Sequence, residues 1–252
     1  MDHPVVASMP VWNPRALRTL AIDIGGTGLK VGLLDPSGML TGEPLHVPTP
    51  HGDPEAVVEA LVGMVQPLGE FERVSVGFPG VVSRGVVMTA PNLGTAEWSG
   101  FPLAGRLEER LGKPVRVLND GSVQGLGVIT GQGLECVVTL GTGFGFALFH
   151  SGKLAPHLEL GQHPAHKDKT YDAYLGNAAL QKIGKKKWNE RVARIIDQLA
   201  TLVTYDTLYI GGGNARAIAI DLPSNVVIVP NAAGLTGGIH LWDDRMDDTY
   251  FL

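Results

Sequence analysis

The sequence predicts an α/β protein made of two related lobes, and two observations support this prediction. The first is an order of elements (hairpin strands, helix, strand, helix, strand) that roughly recurs after residue 119. The second is the position of glycine, since three glycine clusters, at 25–28, 141–145 and 211–213, each follow an apolar strand. Glycine makes up 34 of 252 residues while 44% of the chain is apolar, which indicates glycines placed around real cores rather than a low-complexity chain.

Apolar runs and turn residues define the elements of the first half. A short apolar strand breaks at the first glycine cluster and a second strand follows, which predicts a hairpin with a glycine loop at its tip. Apolar residues at helical spacing, preceded by Asp53 as N-cap, then predict a helix. The predicted elements are a strand 20–24, a strand 30–35, a helix 54–68, a strand 73–78, a helix 101–111 and a strand 115–118.

The second half is predicted by the same signals. Two apolar strands flank the second glycine cluster, and a stripe of apolar residues from Trp188 to Leu202 predicts a helix. The predicted elements are strands 136–140 and 144–149, a helix 187–204, strands 207–210 and 226–229, and a last short helix 232–242. The polar residues 243–248 are expected to form a solvated tail.

Composition excludes several classes of protein. The net charge of −5 lacks the basic footprint of a nucleic-acid-binding surface. A single cysteine, Cys136, excludes an internal disulfide and a multi-cysteine zinc site, and its apolar neighbours predict a core position. No apolar run reaches about 18 residues, so we expect no membrane span. Residues 1–17 contain three prolines and no signal-peptide pattern, which predicts a loose leader on a cytoplasmic protein.

The three glycine clusters are candidate phosphate-binding loops. Glycine lets the backbone approach a ligand closely and present N–H groups to an anion. A β-turn would explain any one cluster alone, but three clusters after strands, two of them with threonine, favour phosphate binding. Neither the P-loop pattern nor the Gly-x-Gly-x-x-Gly dinucleotide pattern occurs, so those two folds are disfavoured.

A different phosphate-binding arrangement fits the sequence. Asp23 and Lys30 bracket the first cluster on its hairpin, and Thr142 lies at the tip of the second hairpin. This is similar to the actin-like ATPase (ribonuclease H-like) fold, in which two hairpin loops clamp phosphates from opposite lobes.

Five segments, taken in order, resemble motifs of the ROK family of sugar kinases. Asp23–Lys30 resembles the first phosphate motif of the family, and Thr139–Gly145 resembles the second. Leu118–Asp120 resembles the catalytic Asn-Asp motif. Ile210–Gly213 resembles the nucleotide-side loop, and 231–234 resembles the final connecting helix.

The resemblance covers most of the chain and, within the family, is closest to the polyphosphate glucokinase branch. The form of the first loop, the short length, the lack of a zinc motif and the basic stretch before Trp188 are shared with that branch. The resemblance implies a two-lobed actin-like sugar kinase fold. Its small lobe would span residues 1–118 and its large lobe 119–235, and a C-terminal helix at about 236–252 would return to the small lobe.

The resemblance also implies roles at the phosphate end of a site. Asp120 would be the catalytic base that accepts a proton from a sugar hydroxyl, although a helix N-cap would explain an Asp there by itself. Asp23 would face Mg²⁺ through water, because Mg²⁺ keeps much of its hydration. Lys30 could instead be an ordinary exposed strand lysine. The implied phosphate- or nucleotide-binding residues are Asp23, Gly25, Gly26, Thr27, Gly28, Lys30, Thr142, Gly143, Gly211, Gly212 and Gly213.

The implied sugar-binding residues are Asn92, Asn119, Glu159, Gln162 and His163. A plain turn would explain Asn92 and an Asx-turn would explain Asn119. The family usually has Glu-Leu/Ile-Gly-His, in which Glu and His hold the sugar, whereas Gln162 occupies the His position in this chain. Gln can donate and accept hydrogen bonds, and His163 follows directly, so the preferred sugar is left open.

A basic segment suggests a path for a polyanion. Residues 166–194 carry eight Lys or Arg against three acidic residues, a net charge of +5 within an acidic chain. Lys185, Lys186 and Lys187 lie at a predicted helix start, where the helix dipole disfavours cations unless an anion is bound there. We therefore hypothesise a polyphosphate track at these lysines, with a solvated basic face as the alternative.

The resemblance implies a kinase that moves a phosphoryl group from polyphosphate, ATP or both to the 6-hydroxyl of glucose or a related hexose, with Mg²⁺. The expected partners are a hexose and the donor, without nucleic acid or membrane, and the resemblance implies a homodimer. An ATP-only hexose kinase is the nearest alternative. A non-catalytic sugar-binding relative is another, and a regulator is disfavoured because only about 18 residues precede the first strand.

Overall fold

The structure, a computed structural model, describes residues 17–230, 233–244 and 246. The predictions for residues 1–16, for the motif and helix start at 231–232 and for residues 245, 247 and 248 of the polar tail therefore lie outside the described residues. None of the helices that the structure describes combines the length and apolar character needed to cross a membrane.

The first half forms one mixed sheet and the helices around it. Its elements are β1 (Thr19–Ile24), β2 (Gly28–Leu34), β3 (Leu45–Pro48), α1 (Pro54–Val65), β4 (Arg73–Phe78), β5 (Val82–Ser83), β6 (Val86–Val87), α2 (Thr95–Trp98), α3 (Leu103–Leu111), β7 (Val115–Asn119) and α4 (Asp120–Leu126). The sheet has the order β3-β2-β1-β4-β7, in which β1 runs antiparallel to β2 and parallel to β4.

The second half forms a sheet of the same topology. Its elements are β8 (Leu134–Leu140), β9 (Phe144–His150), β10 (Lys153–Leu154), β11 (Pro164–His166), β12 (Lys169–Thr170), α5 (Tyr171–Leu175), α6 (Asn177–Val203), β13 (Thr207–Gly211), β14 (Val226–Ile228) and α7 (Ala233–Thr236). Its order is β10-β9-β8-β13-β14, with β8 antiparallel to β9 and parallel to β13. The predicted recurrence of one pattern in both halves is therefore confirmed.

Each sheet packs against its own helices. α1 begins where the sequence places it, because the Asp53 side chain accepts a hydrogen bond from the Glu55 amide and Pro54 occupies the first turn. Trp98 fills the first core and Trp188 the second, and both are fully buried. The indole N–H of Trp188 donates to the Leu175 carbonyl at 2.8 Å, so this large side chain is buried with its polar atom satisfied.

Helix α6 differs from the predicted single helix of residues 187–204. It begins ten residues earlier, at Asn177, and is interrupted at Gly184, whose φ of 78° is left-handed. A second helical segment starts directly after this break at Lys185, so the predicted helix start at the three lysines is confirmed. Glycine is required at 184 because other residues rarely adopt this conformation.

Helix α4 was not predicted, yet it has a central position. It packs against β4 and β7 of the first sheet and against β8 and β9 of the second. Close backbone packing fixes it, because a Cβ at Gly237 would overlap the Val123 carbonyl. Helix α4 thus starts at Asp120, between the two sheets.

The last described residues return to the first sheet. In the structure the predicted helix 232–242 is divided into two pieces. The α-helix α7 ends at Thr236, and a 3-10 helix, Gly237–Trp242, follows it. Ser75 Oγ of β4 donates to the Gly238 carbonyl at 2.6 Å and accepts from Trp242 Nε1 at 2.9 Å. The division into lobes at residue 118 stays a prediction.

Candidate active site

A cleft of about 430 Å³ lies between the two sheets. Its walls come from the first glycine hairpin, the second glycine hairpin, the start of α4 and the loop after β13. The sequence-predicted residues that line it are Asp23, Gly25, Gly26, Thr27, Gly28, Lys30, Asn92, Asn119, Asp120, Thr142, Gly143, Glu159, Gly212 and Gly213. Residues far apart in the sequence are therefore assembled around one cavity.

The first glycine hairpin forms one wall and is held by internal hydrogen bonds. The Gly25 amide donates to the Gly28 carbonyl at 2.9 Å, and Thr49 Oγ1 donates to the Gly25 carbonyl at 2.7 Å. Lys30 Nζ lies 3.1 Å from Asp23 Oδ2, so the cation and the carboxylate that bracket the loop form an ion pair. Lys30 is thus not an isolated strand lysine.

The second glycine hairpin faces the first. Its turn closes through the Gly141 amide, which donates to the Gly143 carbonyl at 3.1 Å. Gly26 of the first hairpin lies close to both Asn92 and Thr142, because a Cβ at Gly26 would stand 3.0 Å from Asn92 Cβ and 3.8 Å from Thr142 Cγ2. The two loops therefore approach each other across the cleft.

The loop after β13 is attached to the second hairpin. Asn214 Nδ2 donates to the Gly141 carbonyl, and the Asn214 amide donates to the Leu140 carbonyl, both at 2.9 Å. Gly212 has a φ of 85° and packs on the Leu140 backbone, so a side chain there would overlap main-chain atoms. Gly211 lies at the end of β13 and is buried, whereas Gly212 and Gly213 line the cleft.

The start of α4 separates the roles of Asn119 and Asp120. The Asn119 side chain is the N-cap, because its Oδ1 accepts from the Ser122 amide at 3.2 Å, and its Nδ2 donates to the Gly80 carbonyl at 3.2 Å. Asp120 is the first helical residue, so the helix N-cap alternative for Asp120 is wrong. Its carboxylate accepts a hydrogen bond from the Gly121 amide at 2.8 Å.

The pKa of Asp120 is strongly perturbed. Loss of solvent around the carboxylate is the largest cause, and together with the negative charges of Asp23 and Glu159 it raises the pKa to about 7. The Gly121 amide and His157 act in the opposite direction. A carboxylate that titrates near neutral pH at the bottom of a cleft has the pKa that a general base requires.

The predicted sugar-binding loop after β10 is only partly in the cleft. Glu159 lines it, with its Oε2 3.3 Å from His157 Nε2. The structure places Gln162 and His163 on the exposed surface, outside the residues that form the cavity wall. Gln162 Nε2 donates to Asp172 Oδ2 at 2.7 Å instead. The roles of Gln162 and His163 as sugar contacts stay predictions.

Several cavity residues were missed by the sequence analysis. Asp172 lines the cleft, and its Oδ1 accepts from the Phe144 amide at 2.6 Å, which links α5 to the second hairpin. Burial is the main cause that raises its pKa. Gln124 and Arg216 also line the cleft. The one sequence signal available for Arg216 was its place just after a glycine cluster, while Gln124 and Asp172 stand in segments without any motif.

The three lysines of the proposed track lie outside the cavity wall. Lys185, Lys186 and Lys187 are exposed at the start of the second segment of α6.

Within the described ranges, no group of three His, Cys, Asp or Glu residues is arranged to hold a metal ion.

Comparisons of sequence identify related proteins. A model of the ROK family matches residues 19–163. The polyphosphate glucokinase of Mycobacterium tuberculosis (strain CDC 1551 / Oshkosh) is 31% identical over 232 residues, which cover 86% of this chain and 87% of the relative. The glucokinase of Streptomyces coelicolor is 36% identical over 146 residues, covering 54% of this chain and 44% of the relative.

Solved structures give the same result for the fold. The inorganic polyphosphate/ATP-glucomannokinase of Arthrobacter sp. strain KM superimposes with a TM-score of 0.80 at 32% identity, over 88% of this chain and 97% of that one. A ROK family glucokinase from Streptomyces griseus, solved with glucose and AMPPNP, gives 0.73 at 22% identity, over 89% and 98% of the two chains. At that lower identity the likeness concerns the fold alone. The predicted two-lobed, actin-like α/β fold is confirmed.

Proposed function

This chain belongs to the ROK family, and we propose that it is a sugar kinase that transfers a phosphoryl group from polyphosphate or ATP to the 6-hydroxyl of glucose or a related hexose. The observation that carries this proposal is the position of Asp120. Its carboxylate, with a pKa of about 7, shares one cleft with both glycine hairpins. A base and two phosphate-binding loops around one cavity are what in-line phosphoryl transfer to a hydroxyl needs.

In this proposal the two walls of the cleft have different ligands. Asp120 accepts the proton of the attacking hydroxyl, and Asn92, Asn119 and Glu159 hydrogen-bond the sugar. Gln162 completes the sugar site through its contact with Asp172. The backbone amides of the glycine loops and Lys30 receive the donor phosphates, because exposed N–H groups and a cation neutralise the transferred charge.

Mg²⁺ fits the carboxylate at the phosphate end of this cleft. Asp23 lines the cavity, with its Oδ2 3.1 Å from Lys30 Nζ, and a carboxylate oxygen is a ligand that Mg²⁺ prefers. Mg²⁺ is commonly held by one or two carboxylates together with substrate phosphates and water. When bound, it would screen the negative charge of the phosphates. Asp23 would hold it through water, while the contact with Lys30 orients that carboxylate.

The polyphosphate track is supported by a link between the lysines and the cleft. Asn189 is 4% exposed, and its Nδ2 donates to the Lys185 carbonyl at 2.9 Å and to the Ala217 carbonyl at 3.0 Å. Ala217 follows Arg216, which lines the cleft. This link supports a track in which a long polyanion that leaves the donor end of the cavity would meet the three lysines.

Charge reversal at Lys185, Lys186 and Lys187 is expected to raise the KM for long-chain polyphosphate at least about tenfold, because attraction between the polyanion and the helix start is lost. KM values for ATP and for the hexose should change little. The control carries the same change at Lys113 and Lys153, two exposed lysines on other elements. Steady-state kinetics over a series of chain lengths would measure this, and an unchanged KM for long chains would refute the track.

The test of the proposed function is phosphoryl transfer from ATP and from polyphosphate across a panel of hexoses. We expect glucose to be phosphorylated with both donors, since the chain is similar to a polyphosphate glucokinase over most of its length. Turnover with ATP alone would favour the ATP-only hexose kinase, and no turnover with any sugar would favour a non-catalytic sugar-binding relative. A cytoplasmic homodimer is part of the same proposal.

A further inference from the structure

A buried side-chain amide at the cleft wall has no hydrogen-bond partner among the described residues. Gln124 is 5% exposed and lines the cavity. Its Nε2 finds no acceptor in the part of the chain that the structure describes. Leaving a buried N–H group unsatisfied destabilises the folded state, so such groups in native proteins are normally paired with a protein atom, a water or a ligand.

The position of Gln124 places this amide at the donor end of the cavity. It lies four residues after Asp120 in α4, on the same face of the helix and about 6 Å farther along the axis. Its Nε2 also lies against Gly211, because a Cβ at Gly211 would overlap that nitrogen. The amide therefore stands between the proposed base and the glycine loop after β13.

The absence of a side chain at Gly211 has a consequence for this amide. Any larger residue would force the Gln124 side chain away from its present place. The Gln124 side chain of α4 therefore packs directly against the backbone of Gly211 in the third glycine cluster. Gln124 Nε2 is therefore packed beside Gly211, while the Gln124 side chain belongs to the cavity wall.

We propose that Gln124 Nε2 donates a hydrogen bond to a phosphate oxygen of the bound phosphoryl donor, a linear chain of phosphoanhydrides such as polyphosphate or the triphosphate of ATP. Gln124 would then be a donor-binding residue in addition to the glycine loops. The Gln124 amide is a suitable donor for this contact, because a hydrogen bond to a charged phosphate oxygen is stronger than one to a neutral acceptor. This inference rests on the proposed function, since it assumes that the cleft receives such a donor.

The test uses variants of Gln124 and measures binding without turnover. Calorimetric titration with inorganic tripolyphosphate and with AMPPNP, in the absence of sugar, gives the dissociation constants. Gln124→Met keeps the length of the side chain but removes the donor, and it should weaken both ligands about five- to tenfold. Gln124→Glu should weaken them more, because a carboxylate would repel phosphate. Gln66→Met, at an exposed position in the first half, is the matched control and should change neither constant.

Thermal unfolding of the ligand-free variants separates binding from folding. Gln124→Met should unfold at the same temperature as the wild type or higher, because an unsatisfied buried amide is replaced by an apolar group. Equal affinity of Gln124→Met and wild type for tripolyphosphate would overturn the inference and assign the amide to an ordered water. A loss confined to AMPPNP would also overturn it, because the contact would then be to the adenosine part.

The outcome is distinguishable from failure of the proposed function. If no hexose is phosphorylated and Gln124→Met still weakens tripolyphosphate binding, the proposed activity fails while the contact stands. If hexoses are phosphorylated and the variant binds both donors as the wild type does, the contact fails while the activity stands.

Discussion

Replacement of Asp120 by Asn is expected to lower kcat for phosphoryl transfer about 10²- to 10⁴-fold, which is the usual range for removing a general base. The Asn side chain has nearly the same size and can keep the hydrogen bond from the Gly121 amide, so the start of α4 should be preserved. What is lost is the group that accepts a proton from the sugar hydroxyl. Single-turnover and steady-state rates with glucose would measure the change.

Thermal unfolding of Asp120→Asn is the control that separates a loss of catalysis from misfolding. The folded-state pKa of Asp120 is about 7 and its ordinary value is 3.8, so the folded chain holds this proton more tightly than the unfolded chain. Stability is therefore lost as pH rises between these two values, by an amount on the order of 4 kcal/mol at most. Asp120→Asn cannot ionise, so at pH 8 it should unfold at a higher temperature than the wild type, and the difference should shrink toward pH 4.

A loss of activity together with unchanged or increased stability cannot be attributed to misfolding. Asp197→Asn, at an exposed position of α6, is the matched control and should leave rates and unfolding temperature unchanged. Wild-type rates in Asp120→Asn would contradict the assignment of Asp120 as the base.

The second large expected effect is on the pH dependence of kcat/KM for the sugar. A base must be unprotonated to act, and the pKa of Asp120 is about 7, so kcat/KM for the sugar should fall about tenfold per pH unit below this value. It should level off above pH 8. Measurement of kcat/KM from pH 5 to pH 9 at saturating donor would give the apparent pKa of the acidic limb.

The donor phosphates titrate in the same pH range, so the acidic limb could come from the donor or from Asp120. The Glu159→Gln variant distinguishes these two origins. The negative charge of Glu159 is one of the causes that raise the Asp120 pKa, so its removal should move the acidic limb to lower pH. Ionisation of the donor would not move with this substitution. A limb that stays in place in Glu159→Gln, or a rate that is flat from pH 5 to pH 8, would contradict a titrating Asp120.

Many elements of the fold could be predicted from local patterns. The hairpin strands around the glycine clusters and the start of α1 at Asp53 were predicted, because apolar alternation, turn residues and capping side chains act over a few residues. Helix α4 was not, because three of its seven residues are glycine or serine and its stability comes from packing against both sheets. The early start of α6 at Asn177 and its break at Gly184 were not predicted either.

Some residues of the site could likewise be identified from the sequence, and others could not. Residues within a motif, such as Asp120 and the glycine loops, were identified from the sequence, because their order along the chain is itself the signal. Gln124 and Asp172 carry no motif, and only the folded chain brings them to the cavity. The exposed position of Gln162 is also tertiary, since its amide is drawn to Asp172 ten residues later.

The sequence by itself determined that two α/β lobes recur and that glycine loops and an Asn-Asp pair belong to one kinase family, because these features are local and ordered. The tertiary structure decided the chemical state of the site. The perturbed pKa of Asp120 depends on burial and on the charges of Asp23 and Glu159, which are far away in the chain. The unsatisfied amide of Gln124 depends on the packing of α4 against Gly211. Burial and electric field arise from atoms brought together by folding, and no local pattern encodes them.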